Sequence, residues 1–147
     1  MFEPQPRPGQ WVWPYRGSMR WIVDGMNVIG SRPDGWWKDR GRAMGTLVEN
    51  LDRWASSQTD QIDTVTVVFE RPPSTAITSS VIEIAHAPRA AANSADDEIV
   101  RLVQADVAPH EIRVVTSDKA LSDRIRGLGA EVFPAVSFRD LVDPRGK

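Results

Sequence analysis

The stretch Trp21-Ile22-Val23-Asp24-Gly25-Met26-Asn27-Val28-Ile29-Gly30 decides how the chain is read. Three apolar residues run into an aspartate and a glycine, and an asparagine stands three positions after the aspartate. A short unbroken apolar run is what a strand covered on both faces needs, so it reads as the central strand of a parallel sheet. Asp24 then falls at the strand's carboxyl end, and open α/β sheets take their ligands in the crevice beyond those ends. Gly25 lets the backbone leave the strand tightly. The side chain of Asn27 can bridge the resulting turn and hold the carboxylate in one orientation. In the plainer reading, Asp24 caps a loop and nothing more.

Working outward, strands and helices alternate. Met19 to Val23 is the first strand, Ser31-Arg32-Pro33-Asp34-Gly35 is a turn, and Trp36 to Arg42 leads into a helix with Met44, Leu47, Val48, Leu51 and Trp54 on one face. Thr64 to Phe69 is a second strand ending at Glu70, and Val81 to Ala85 a shorter third. Ser94 reads as the N-cap of the next helix, with Asp97 at the capping-box position. Ile112 to Thr116 is the fourth strand, followed by Ser117-Asp118 and a helix through Leu121, Ile125 and Leu128. Ala130 to Phe133 is the fifth, and Ser137 caps a last short helix. This alternation predicts an α/β fold: a three-layer sandwich around a mostly parallel central sheet of about five strands. Residues 1–18, rich in proline with Trp11, Trp13 and Tyr15 between, are an extended arm. It either packs back on its own domain, reaches a partner subunit in a homodimer, or stacks on bases. Residues 19–142 form the domain and 143–147 a frayed tail.

Composition narrows the chemistry. A net charge of -2 rules out a chain that grips nucleic acid with its whole surface, so any such contact must be local. The absence of cysteine excludes disulfides and thiolate metal sites and fits a reducing cytoplasm. No apolar run approaches the roughly 20 residues of a membrane span. Met1 to Gln10 has neither the basic start nor the apolar core of a signal peptide. The protein therefore reads as cytoplasmic. His86 and His110 have no zinc spacing, no serine sits in a nucleophile elbow, and no phosphate-cradling loop follows the first strand.

What remains is carboxylates: Asp24, Glu70, Asp96, Asp97, Asp118 and Asp123. In a parallel sheet all strands end on one rim, which brings these acids together from distant parts of the chain. If the first and fourth strands are neighbours, Asp24 and Asp118 stand about 5 Å apart. Carboxylates that close repel, and a divalent cation removes the penalty. An oxygen-only donor set suits Mg²⁺ or Mn²⁺. Each acid also has a plain structural use: Asp118 as an N-cap, Asp96 and Asp97 in a helix's first turn, Asp123 and Glu70 in solvent.

Asp24-Gly25-Met26-Asn27-Val28-Ile29, Val68-Phe69-Glu70, Ser94-Ala95-Asp96-Asp97-Glu98-Ile99, Val114-Val115-Thr116-Ser117-Asp118 and the segment Arg124 to Ala130 resemble the NYN domain, in its YacP-like branch, within the PIN-like nuclease superfamily. The resemblance spans residues 19–142. It implies a PIN-like sheet with the first strand central and a metal-dependent ribonuclease site on the carboxyl rim. Asp24, Asp96 and Asp118 match the main catalytic and metal-binding acids, Asn27 the orienting asparagine and Ser117 the substrate-facing residue beside the third acid. Asp97 and Asp123 are supporting metal ligands. Glu70 departs from the aspartate usual there, and the proline-rich arm has no counterpart. The implied reaction is hydrolysis of an RNA phosphodiester by water on one or two Mg²⁺ or Mn²⁺ ions. Single-stranded RNA would be guided by Arg32, Lys38, Arg40 and Arg42 around Trp36 and Trp37, with Arg89 as a further phosphate contact. The plainer reading makes the tryptophans core and the arginines a solvated face. Two other functions stay open: an RNA- or protein-binding module without cleavage, and a phosphatase acting on a small phosphomonoester.

Overall fold

The computed structural model describes residues 19–58, 62–73, 75–88 and 94–144. The proline-rich arm, Arg89 with the small-residue stretch after it, and the end of the expected tail lie outside the described residues.

In chain order the elements are β1 (Arg20–Asp24), α1 (Gly25–Ile29), a single 3₁₀ turn (Trp36–Lys38), α2 (Arg40–Ser57), β2 (Thr64–Phe69), β3 (Glu83–His86), α3 (Ser94–Ala105), β4 (Ile112–Val115), α4 (Lys119–Gly127), β5 (Glu131–Phe133) and α5 (Ala135–Val142). The five strands form one sheet in the order β3-β2-β1-β4-β5, and every pairing is parallel. The expected α/β class, the central first strand and its β4 neighbour are all present.

Period-two alternation explains the layering. Trp21 and Val23 of β1, with Val65, Val67 and Phe69 of β2, face a core closed by α1, α2 and α5. Ile22, Val68 and Val114 face the opposite core, where Ile99 and Val103 of α3 and Leu121 and Ile125 of α4 cover them. Both faces are buried, which is why these strands read as continuous apolar runs.

Four local expectations change. The turn after Asp24 is a helix, because Val28 and Ile29 both have core to fill on the α2 and α5 side. β3 begins two residues later than expected, where Glu83 pairs with Thr66. Ser94 opens α3 inside the helix, its hydroxyl directed at the Glu70 carbonyl 3.5 Å away. The last helix starts at Ala135, directly after Pro134, so Ser137 lies within it and does not cap it. Among the described residues no helix is long and apolar enough to cross a membrane.

Candidate active site at the carboxyl rim of the sheet

Asp24 ends β1 at the N-terminus of α1 and is only 6% exposed. The next residue must be glycine for a reason of space: a Cβ at Gly25 would lie 2.5 Å from the Phe69 ring. Its φ is not in the left-handed region, so a close approach, and not the conformational freedom expected of a tight turn, fixes this position.

Register decides which residue flanks Asp24. Val23 pairs with Val115, so the residue one strand across from Asp24 is Thr116 and not Asp118. The buried Thr116 hydroxyl donates to Asp24 Oδ2 at 2.9 Å and accepts the Asp118 N–H at 3.1 Å. Asn27 also works differently from the expectation. Its side-chain Oδ1 accepts the Ser117 N–H at 2.8 Å, tying α1 to the loop after β4, while its own backbone N–H faces Asp24. Ser117 Oγ accepts the Ala135 N–H at 2.8 Å, which adds α5 to the same knot. Three segments distant in sequence are thus locked around one carboxylate.

Burial is the main force on that carboxylate and, with the charges of Asp96 and Asp118, pushes Asp24 up to about 7, against the Thr116 hydrogen bond and the Asn27 N–H. Asp96, in the first turn of α3, is likewise raised by burial and then by Asp118, Asp97 and Glu70, with Arg124 opposing. Asp24, Asp96 and Asp118 therefore share one electrostatic neighbourhood, and Glu70 reaches its edge. Asp118 also serves as the N-cap of α4, its Oδ1 accepting the Leu121 N–H at 2.8 Å.

The supporting acids and several cations have other partners. Asp97 lies 3.4 Å from Arg124 on the surface, and the exposed Asp123 pairs with Lys119 at 3.1 Å, one turn back on α4. Arg32, expected to meet RNA, is turned inward: its side chain is 13% exposed, with Asp140 at 2.8 Å and Asp143 at 3.5 Å. Lys38, Arg40 and Arg42 are exposed, and Arg40 lies over the Trp36 ring at 5.1 Å. The two tryptophans divide the roles left open for them. Trp36 packs against the core, and Trp37 is 51% exposed, edge-on to it. Thr116 was missed in the sequence reading, although the strand register points to it. Arg139 was missed as well; it donates to the Val28 and Ile29 carbonyls at the end of α1, and no local signal marks it.

The donor set suits a hard divalent cation, being all oxygen, and a bound cation would offset the burial and the neighbouring negative charges that raise Asp24 and Asp96. Among the described residues no three acidic or histidine side chains are disposed to hold one ion between them. One or two carboxylates with water or substrate oxygens completing the shell is the usual Mg²⁺ arrangement; Asp96 is the charge that bears most on Asp24, and Asp118 the charge that bears most on Asp96.

A family model described as the YacP-like NYN domain matches residues 21–146. Two crystal structures of Rae1 (YacP) from Bacillus subtilis, one of a point mutant, superpose with a TM-score of 0.65 at 26% identity. The mutant comparison covers 86% of this chain and 78% of that one, the other 85% and 75%. No curated protein sequence matches the chain significantly. Five parallel strands in this order, an acid-bearing carboxyl rim and a family match over most of the length agree: the chain belongs to the YacP-like NYN domain family, a family of ribonuclease type.

Proposed function

We propose that the chain is a Mg²⁺- or Mn²⁺-dependent ribonuclease that hydrolyses phosphodiester bonds of single-stranded RNA at the rim formed by Asp24, Asp96 and Asp118. The observation that carries this reading is the Asp24 carboxylate, buried at the carboxyl end of the central strand and raised by that burial first and then by the charges of two acids from other elements. Capping α4 accounts for Asp118 and the first turn of α3 for Asp96, but neither accounts for a carboxylate buried at Asp24 between their charges, which a bound cation would offset.

Asp24 and Asp96 would hold the metal, with Asp118 beside them. When bound, the metal supplies a water of lowered pKa and positive charge to offset what develops on the phosphate. The chain's own residues do the rest. Thr116 keeps Asp24 in one rotamer, as a hydrogen-bonding neighbour does for a ligating carboxylate. The Asn27–Ser117 bond holds the β1 and β4 ends at a constant separation. Lys38, Arg40 and Arg42 attract the phosphate backbone, and the exposed Trp37 offers a face for an unpaired base.

The test is Asp24→Asn. We expect loss of Mn²⁺-dependent cleavage of an unstructured RNA and loss of Mn²⁺ binding by calorimetry, with an unchanged circular dichroism spectrum. Full cleavage by the variant would overturn the assignment. A second reading, an RNA- or protein-binding module that does not cut, draws on Asp118, whose carboxylate caps α4. It expects RNA retention without Mn²⁺ uptake in the wild type.

A further inference from the structure

Beside the acid rim, between the start of α2 and the loop after β2, lies a cleft of about 380 Å³. We propose that it is a nucleobase pocket that takes one unpaired guanine of the RNA, with the Glu70 carboxylate reading the base's Watson–Crick edge. This rests on the ribonuclease reading and names a specificity for it.

Its volume falls within the range of small-ligand sites. Met26, Met44, Phe69, Pro72 and Pro73 line it, thioether, ring and proline surfaces of the kind against which a flat base packs. Arg40, Arg71 and Glu70 supply the polar groups. Among the described residues, the Glu70 and Arg71 side chains make no ion pair or hydrogen bond. The cleft lies near the acid rim. Met26 follows Asp24 by two positions, and the charge of Glu70, which lines the cleft, also bears on Asp96. Two guanidiniums against one carboxylate suit a base that arrives with its phosphate attached.

The carboxylate selects the base. A carboxylate only accepts hydrogen bonds, so it matches two adjacent donors. Guanine alone has that pattern, in N1–H and the exocyclic N2 amine. Adenine and cytosine set one amine donor beside a ring-nitrogen acceptor, and uracil sets one N–H between two carbonyls.

The experiment titrates the full chain, in EDTA, with 5′-GMP, AMP, CMP and UMP, followed through backbone amide resonances. We expect GMP to shift Met26, Gly41, Phe69 and Glu70 and to bind roughly tenfold tighter than the other three. Glu70→Gln offers one acceptor and one donor, the complement of the amine and ring nitrogen that adenine and cytosine share, so the preference for GMP over AMP and CMP should be lost. Gly41→Leu adds a side chain to the cleft wall and should weaken all four nucleotides alike. Equal affinities, shifts centred elsewhere, or an unchanged GMP preference in Glu70→Gln would each overturn the pocket. Because no metal and no cleavage is involved, the two readings fail separately. GMP binding by a chain that cuts no RNA removes only the nuclease reading. Base-indifferent cleavage without GMP binding removes only the pocket.

Discussion

Asp24→Asn should make the protein more stable while destroying its proposed activity, and the gain should depend on pH. Burial moves Asp24 from its ordinary 3.8 to about 7. Between those values the native state holds a proton that the unfolded chain has released, so the native state carries more protons and stability falls as pH rises. The contribution is fully present below 3.8 and gone above about 7. A gap of roughly three pH units, at about 1.36 kcal/mol each, comes to about 4 kcal/mol of destabilisation in neutral, metal-free buffer. Asparagine fills the same volume without the charge. It exchanges one acceptor oxygen for an amine opposite the Thr116 hydroxyl and the Asn27 N–H, at a cost of about 1 kcal/mol. The variant should therefore lead by about 3 kcal/mol at pH 8, roughly 6–12 °C in Tm for a domain of this size, and trail by up to about 1 kcal/mol at pH 4, where only the hydrogen-bond loss remains. Thermal and urea unfolding in EDTA across that range measure it. Mn²⁺ at about 100 times its Kd should then return about 2.7 kcal/mol to the wild type and nothing to the variant. A variant no more stable at pH 8 than the wild type, or one whose advantage is the same at both ends of the range, would refute the claim that a buried charge sits here uncompensated.

Three further outcomes follow from the same geometry. Thr116→Val removes the donor to Asp24 and the acceptor for the Asp118 N–H together, so it should cost about 1–3 kcal/mol in urea unfolding and lower Mn²⁺ affinity roughly 10–100-fold, with Thr116→Ser restoring both. Gly25→Ala drives a methyl against the Phe69 ring and should cost about 1–3 kcal/mol, visible as a lower urea midpoint with an unchanged slope. Arg32→Ala should lose about 2 kcal/mol through its bonds to Asp140 and Asp143 yet leave the salt dependence of RNA binding alone, whereas Arg40→Ala should reduce that slope by about 0.7 and barely touch stability.

The fold was legible because its signals are local. β2 lies where its apolar run ends, and the face of α2 that carries Met44, Leu47, Val48 and Leu51 is buried as its spacing predicts. The neighbourhood of Asp24, Asp96 and Asp118 was legible too, since parallel strands deliver their ends to one rim. The exact partners were not. Thr116, and not Asp118, flanks Asp24 because strand register, which no stretch of sequence states, sets the neighbour. Asn27 carries its familiar position but bonds a loop that lies 90 residues away. Arg32 and Arg40 look alike in sequence, and only tertiary packing sends one inward to Asp140 and leaves the other over Trp36.

The strand order has a consequence for when such a site can exist. The chain first lays down β1, β2 and β3, then crosses back to fill the open edge of β1 with β4, so Arg20 waits for Ile112. Thr116 and Asp24 are 92 residues apart, and pairings of that span come late in folding. While the chain is still being synthesised and β4 is inside the ribosome, Asp24 has no hydroxyl to orient it and no Asp118 beside it. A chain that still lacks β4 therefore does not present the assembled rim, and the site arrives in one step with closure of the sheet.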